Sequence, residues 1–155
     1  MFLPDIIRAR QNDLEKILSL QKITFLSEAK LYNDYKIGPL TQTYNEILED
    51  FDHCIFLKAV YRDCIIGSVR ARQQQECCWV GKLNVSPEYQ NRGIGRRLLL
   101  EIENYFTGIN QFVLYTGARS MNNIRLYKSA GYKVKETFFE AERPGLELIK
   151  MIKEL

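Results

Sequence analysis

The apolar positions of this 155-residue chain change period several times along its length, and each change marks an element. "DIIRA" (5–9) predicts a short strand, and "NDLEKILSLQKITFLSEA" (12–29) then carries Leu14, Ile17, Leu18, Leu20 and Ile23 at largely helical spacing. Asn12 or Asp13 stands where an N-cap belongs. A polar, tyrosine-rich passage containing Gly38-Pro39 breaks the pattern, and Thr41 is expected to cap a second helix through "YNEILEDF" (44–51). Three strand-like runs follow: "CIFLKAVYR" (54–62), "CIIGSVRAR" (64–72) and "CCWVGKLNV" (77–85). Their spacers are short enough for an antiparallel meander. Beyond them the pattern predicts a helix (94–106), a strand (111–116), a helix (121–130) and two strands (132–139 and 146–152). Gly131 follows the last helix at the position where a left-handed residue is usual.

This order predicts one domain over residues 1–155, an α/β or α+β fold with helices on both faces of a mixed, mostly antiparallel sheet. A strand, a glycine turn, a helix and a further strand demand a crossover, and ligands favour strand ends at such points. Hydrophobic residues make up 46% and charged residues 26%, a globular composition. No apolar run approaches the roughly 18 residues of a membrane span. Pro4 and Asp5 interrupt the place where a secretory leader needs an apolar core, so the expected location is cytoplasmic, with no membrane partner. A net charge of +3, its cations scattered among nineteen acids, argues against a nucleic-acid partner. Cys54, Cys64, Cys77, Cys78 and the single histidine, His53, form no zinc pattern, so no metal site is expected and the thiols are read as free core residues.

The cations do concentrate in one place, "YQNRGIGRRLLLEIENYF" (89–106). A helix N-terminus already carries partial positive charge, so Arg92, Arg96 and Arg97 there should each cost about 0.3–1 kcal/mol unless an anion offsets them. Gly93 and Gly95 allow a turn in which successive N–H groups from about Arg92 to Arg96 line one concavity, a phosphate site by geometry and by dipole. The two common phosphate signatures are absent: position 98 is Leu98 where the dinucleotide fingerprint needs a third glycine, and no Gly-Lys-Ser/Thr follows.

The wider setting, "LNVSPEYQNRGIGRRLL" (83–99), resembles motif A of the GNAT N-acetyltransferase superfamily, with Gln90, Gly93 and Gly95 on its Gln/Arg-x-x-Gly-x-Gly/Ala pattern. "NIRLYKSAGY" (123–132) resembles the family's second signature, a helix with Leu-Tyr that ends in Gly-Tyr or Gly-Phe. The resemblance implies a GNAT-like sheet with a splayed strand pair, acetyl-CoA as cosubstrate and an amine acceptor. It implies that backbone groups from Leu83 to Val85 pair with the pantetheine arm. The turn Gln90, Asn91, Arg92, Gly93, Ile94, Gly95 and Arg96 is then expected to hold the pyrophosphate, with Asn123 touching the cofactor or orienting Tyr127.

Acetyl transfer to an amine needs a deprotonated nucleophile, a polarised thioester carbonyl and a proton for the departing thiolate. A phenol with a reference pKa near 10 keeps its proton at neutral pH, and the matching family position makes Tyr127 the general acid. A backbone N–H near Val85 can polarise the carbonyl. The base has no clear sequence mark: Trp79 stands near the position where several relatives carry a glutamate, leaving Glu76 at the strand entrance or an acid of another loop. An acetyl-cysteine route through Cys77 or Cys78 lacks a neighbouring base. Acceptor choice is expected to reside in 27–40 and 140–147. The leading expectation is direct transfer from acetyl-CoA to a small-molecule or protein amine in a ternary complex, and a homodimer is left open. A non-catalytic acyl-CoA binding or sensing module of the same fold is the alternative, and a nucleotide or nucleic-acid phosphate binder a more distant one.

Overall fold

The computed structural model describes residues 2–155, Pro144 by its backbone alone. Seven strands form a single sheet in the order β1-β2-β3-β4-β5-β7-β6: β1 (Asp5–Arg8), β2 (Ile55–Tyr61), β3 (Cys64–Gln74), β4 (Cys77–Val85), β5 (Gln111–Gly117), β6 (Lys133–Glu140) and β7 (Arg143–Glu154). β2, β3 and β4 make the expected antiparallel meander, since their connections are too short for anything else, and β1, which precedes the first helices, pairs antiparallel with β2. β4 and β5 run parallel, joined through helix α5 (Ile94–Glu103), and their pairing is confined to Cys77–Trp79 against Gln111–Val113. Beyond that point the two strands take other partners, β4 staying with β3 and β5 with β7, so a wedge opens between them.

Helix α5 buries Ile94, Leu98, Leu99 and Ile102, one apolar stripe at helical spacing, against β2, β3 and β4. Each such side chain contributes about 1.5–3 kcal/mol relative to exposure. Helix α6 (Met121–Ser129) adds Ile124 and Tyr127 to the same core, which Tyr132 completes at 1% exposure. A smaller core lies between helix α1 (Leu14–Thr24), helix α4 (Tyr44–His53) and Phe56 of β2. No helix of the described residues is long and apolar enough to cross a membrane.

The expected helix over 12–29 is instead three pieces: a 3₁₀ turn at Gln11–Asp13, α1, and α2 (Leu26–Tyr32). Thr24 Oγ1 donates to the Gln21 carbonyl and Ser27 Oγ to that of Thr24, 3.1 Å each, and such back-bonding competes with the helical ladder at the Phe25 break. Asp13 occupies the cap position of α1 but spends its carboxylate on the Arg10 N–H at 2.7 Å and on Lys58 at 2.8 Å. Residues 38–41 form a further short helix, α3 (Gly38–Thr41), with Pro39 in its first turn. The cap of α4 is Thr43 and not Thr41, in a reciprocal capping box with Glu46 at 3.2 and 2.9 Å. The thiols are free, and Cys64 is exposed where a core position was expected.

Candidate cofactor and acceptor site

The wedge between β4 and β5 has a local cause. Ser68 of β3 pairs with Asn84 and Arg70 with Gly81, so Lys82 and Leu83 together oppose the single residue Val69: a β-bulge, with Lys82 at φ +52°. Asn84, 5% exposed, locks the bulge by donating from Nδ2 to the Lys82 carbonyl at 2.9 Å and to Ser68 Oγ at 3.1 Å. Its Oδ1 is buried without a partner among the described residues.

Two cavities flank the bulge. The first, about 260 Å³, is lined by Leu83, Asn84 and Val85 of β4, by Gln90, Asn91, Gly93, Ile94, Gly95 and Arg96, by Asn122, Asn123 and Leu126 of α6, and by the α1–α2 break. Nine of the ten residues expected from sequence to bind the cofactor, all but Arg92, therefore line this one cavity. Gly93 is the N-cap of α5 at φ +82°, ψ 4°, a left-handed conformation that a side chain disfavours. The first bond of the helix ladder runs from the Arg97 N–H to the Gly93 carbonyl, so the N–H groups before it have no partner within the helix. Gln90 Nε2 donates to the Val85 carbonyl at 2.9 Å, fastening the turn to the strand end.

The three arginines of the turn divide. Arg96 lines the first cavity. Arg92 stacks its guanidinium over Phe2 and Tyr89, 5.0 and 5.5 Å from the ring centres, and Arg97 donates to the Pro4 carbonyl at 3.1 Å. Two of the three cations thus bind the N-terminal segment to the helix, a use with no mark in the sequence.

The second cavity, about 350 Å³, opens inside the wedge between Val80–Leu83 and Leu114–Gly117 and is closed by α2, α3, β6 and β7. Tyr127 lines it, 8% exposed. Burial, and then the nearby Glu28 charge, push its phenol well above the usual range, so it stays protonated at any ordinary pH. Among the described residues the Tyr127 hydroxyl has no hydrogen-bond partner, yet Asn84 Oδ1 is the sole fully buried side-chain atom in that condition, so the phenol faces the cavity. Tyr132 supports it edge-on, ring centres 6.3 Å apart at 61°, and is itself anchored by donating to Glu103 at 2.8 Å. The Gly-Tyr at the end of the second signature therefore positions the Leu-Tyr within it.

Four residues line both cavities: Phe25, Glu28, Leu83 and Asn123. Glu28 was not singled out from the sequence. Its carboxylate accepts from Asn123 Nδ2 at 3.3 Å and from Ser120 Oγ. Ser120 Oγ also lies 3.0 Å from the Tyr32 hydroxyl, which accepts the Arg119 N–H at 2.8 Å. With the serine proton committed to the carboxylate, the tyrosine must donate to the serine, and the whole chain points its hydrogens at Glu28. Glu76 lies at the far end of β4, exposed, bonded to Asn110 at 2.9 Å and outside both cavities. Cys77 and Cys78 line neither cavity, and burial pushes the Cys78 thiol up to about 12. Among the described residues no group of histidines, cysteines and carboxylates is placed to hold a metal.

Residues 14–132 match the model of the acetyltransferase (GNAT) family. No curated protein matches the chain in sequence. Among solved structures, the PaiA N-acetyltransferase of Thermoplasma acidophilum in complex with coenzyme A superposes with a TM-score of 0.83 at 19% identity, over 99% of this chain and 100% of that one. The ribosomal-protein-S18-alanine N-acetyltransferase of Escherichia coli gives 0.76 at 16% identity, over 98% and 94%. The putative acetyltransferase yncA of Salmonella typhimurium, with acetyl-CoA, gives 0.77 at 18%, over 99% and 95%. At these identities the structural likeness speaks for the fold, and the match over residues 14–132 for descent: this chain belongs to the GNAT acetyltransferase family.

Proposed function

We propose that this chain is, over its whole length, one N-acetyltransferase domain that moves an acetyl group from acetyl-CoA to an amine by direct transfer. The observation that carries the reading is the junction of the two cavities at Phe25, Glu28, Leu83 and Asn123, in the wedge beside the β4 bulge. The first cavity suits the cosubstrate. Unpaired N–H groups at the start of α5 and the Arg96 cation favour a diphosphate, while the unpartnered Asn84 Oδ1 and the β4 edge suit the amides of a pantetheine arm. Coenzyme A and acetyl-CoA accompany two of the similar structures.

In the reaction, the amine nitrogen forms a C–N bond to the thioester carbonyl carbon as the C–S bond breaks. Glu28 takes the proton the amine gives up, and Tyr127 gives its phenolic proton to the departing sulfur. Asn123 and Ser120 hold the Glu28 carboxylate at the cavity junction. A phenol made reluctant to ionise is a sound donor here only because a thiolate released into the same apolar surroundings is made more basic as well. Glu28 passes the amine proton to water and the Tyr127 phenolate takes one proton back from solvent, so the proton the amine loses balances the one the thiol gains.

Thermal unfolding with and without acetyl-CoA tests the first half, because a ligand that binds only the native state stabilises it by mass action. Thiol release over a panel of amines tests the second. A stabilisation that Gly93→Val abolishes, together with amine-dependent thiol release, supports the reading. Stabilisation without release from any amine would favour an acyl-CoA sensing module, and no stabilisation at saturating cosubstrate would end both.

A further inference from the structure

The acceptor cavity holds a cation that the fold leaves without a counter-ion. Lys82 sits on the bulge, half-buried, at φ +52°, a conformation that lysine seldom adopts. Among the described residues its ammonium makes neither an ion pair nor a hydrogen bond. The one carboxylate that acts on it, Asp50, is already bonded to Arg70 and Gln42 at 2.8 Å each. Arg70 is itself 5% exposed and adds a second positive charge beside Lys82. Burial first, and then Arg70, hold the Lys82 ammonium below its ordinary range, as expected of a cation that lacks a partner.

The other charged groups of the cavity are accounted for. Arg143 is paired with Asp34 and lies 3.8 Å from Glu140, and Glu28 is bonded to Ser120 and Asn123. Between Lys82 on β4 and Glu28 on α2 much of the wall is apolar, with Phe25, Ile37, Pro39, Leu114, Leu146 and Leu148. We propose that the acceptor is an amine that also bears a carboxylate, with an apolar body between or beside them, and that Lys82 binds the carboxylate. An acceptor of this kind is an apolar amino acid or a close analogue. A polycationic amine would instead meet the Lys82 ammonium with like charge. The inference rests on the acetyltransferase reading above and adds to it the class of acceptor.

Paired acceptors that differ only in the carboxylate test it: L-leucine against isopentylamine, and L-phenylalanine against phenethylamine, at saturating acetyl-CoA. The wild-type protein should prefer the amino acid of each pair by about 10- to 100-fold in kcat/KM, the scale on which a desolvated charge pair discriminates. Lys82→Gly, which suits the positive φ, and Lys82→Met should each bring that ratio toward 1 through the KM of the amino acid, while Lys82→Arg should keep most of it. A wild-type ratio at or below 1, or a ratio that survives Lys82→Gly, would overturn the assignment. Thiol release from isopentylamine with no gain for leucine would refute Lys82 alone and leave the acetyltransferase reading standing. Release from no amine at all would refute both.

Discussion

The hydroxyl of Tyr32 stands where a Cβ on residue 117 would be, so the glycine at the end of β5 is what lets α2 deliver its tyrosine to Ser120. The contact bridges 85 residues of sequence and fixes the hydrogen-bond chain that ends on Glu28. Gly117→Ala should therefore act at two levels. Overpacking of this kind costs about 1–3 kcal/mol, which denaturant unfolding would measure. The displaced tyrosine should also lower turnover, with acetyl-CoA binding nearly unchanged, because Gly117 lines the second cavity and not the first. A variant as stable and active as wild type would mean that α2 shifts freely, and the chain to Glu28 would lose its meaning.

Glu28→Gln keeps the size of the side chain and an oxygen for Ser120, while removing the negative charge. As the proton acceptor, Glu28 should contribute about 10²–10⁴-fold to kcat. The deficit of the variant should shrink as pH rises toward the pKa of the amine acceptor, since free amine then forms without help. A merely structural role would give a deficit that does not change with pH.

Alkylation separates direct transfer from an acetyl-cysteine route. A thiol with a pKa of about 12 is ionised in only about one molecule in 10⁴ at pH 8, so Cys78 should resist iodoacetamide in the native protein. Cys64 is exposed and should label first, as peptide mass analysis would show. Protein labelled at Cys64 alone should keep its acetyl-transfer rate. Loss of activity on that labelling, or acetate recovered on Cys77 or Cys78 after incubation with acetyl-CoA, would bring the covalent route back.

Much of this architecture was legible from the chain because it is written in local patterns. The Gly93-x-Gly95 turn marked the start of α5 to the residue, since a left-handed N-cap leaves a glycine behind. The meander followed from short spacers between apolar runs. Thr43-x-x-Glu46 was equally legible as a capping box, and reading Thr41 as the cap overlooked the reciprocal glutamate. The break at Phe25 was not legible, because the hydroxyls of Thr24 and Ser27 fit a continuous helix as well as a broken one. Glu28 escaped for a different reason: its significance comes from Ser120 and Asn123, more than ninety residues away, and nothing within the segment 27–40 sets it apart from the other acid there. The same holds for the arginines, of which Arg92 and Arg97 serve Phe2, Tyr89 and Pro4.

Tyr127→Phe tests the central claim most directly, because it deletes one oxygen from a ring that otherwise keeps its packing against Tyr132. Calorimetric titration of acetyl-CoA into both proteins, followed by single-turnover thiol release with a saturating amine, separates binding from chemistry. The account predicts equal affinity and a release step slower by about 10²–10⁴-fold in the variant. It also predicts that the gap narrows for an aryl thioester, whose thiol leaves without a proton. A phenylalanine variant that releases thiol from acetyl-CoA at the wild-type single-turnover rate would contradict it.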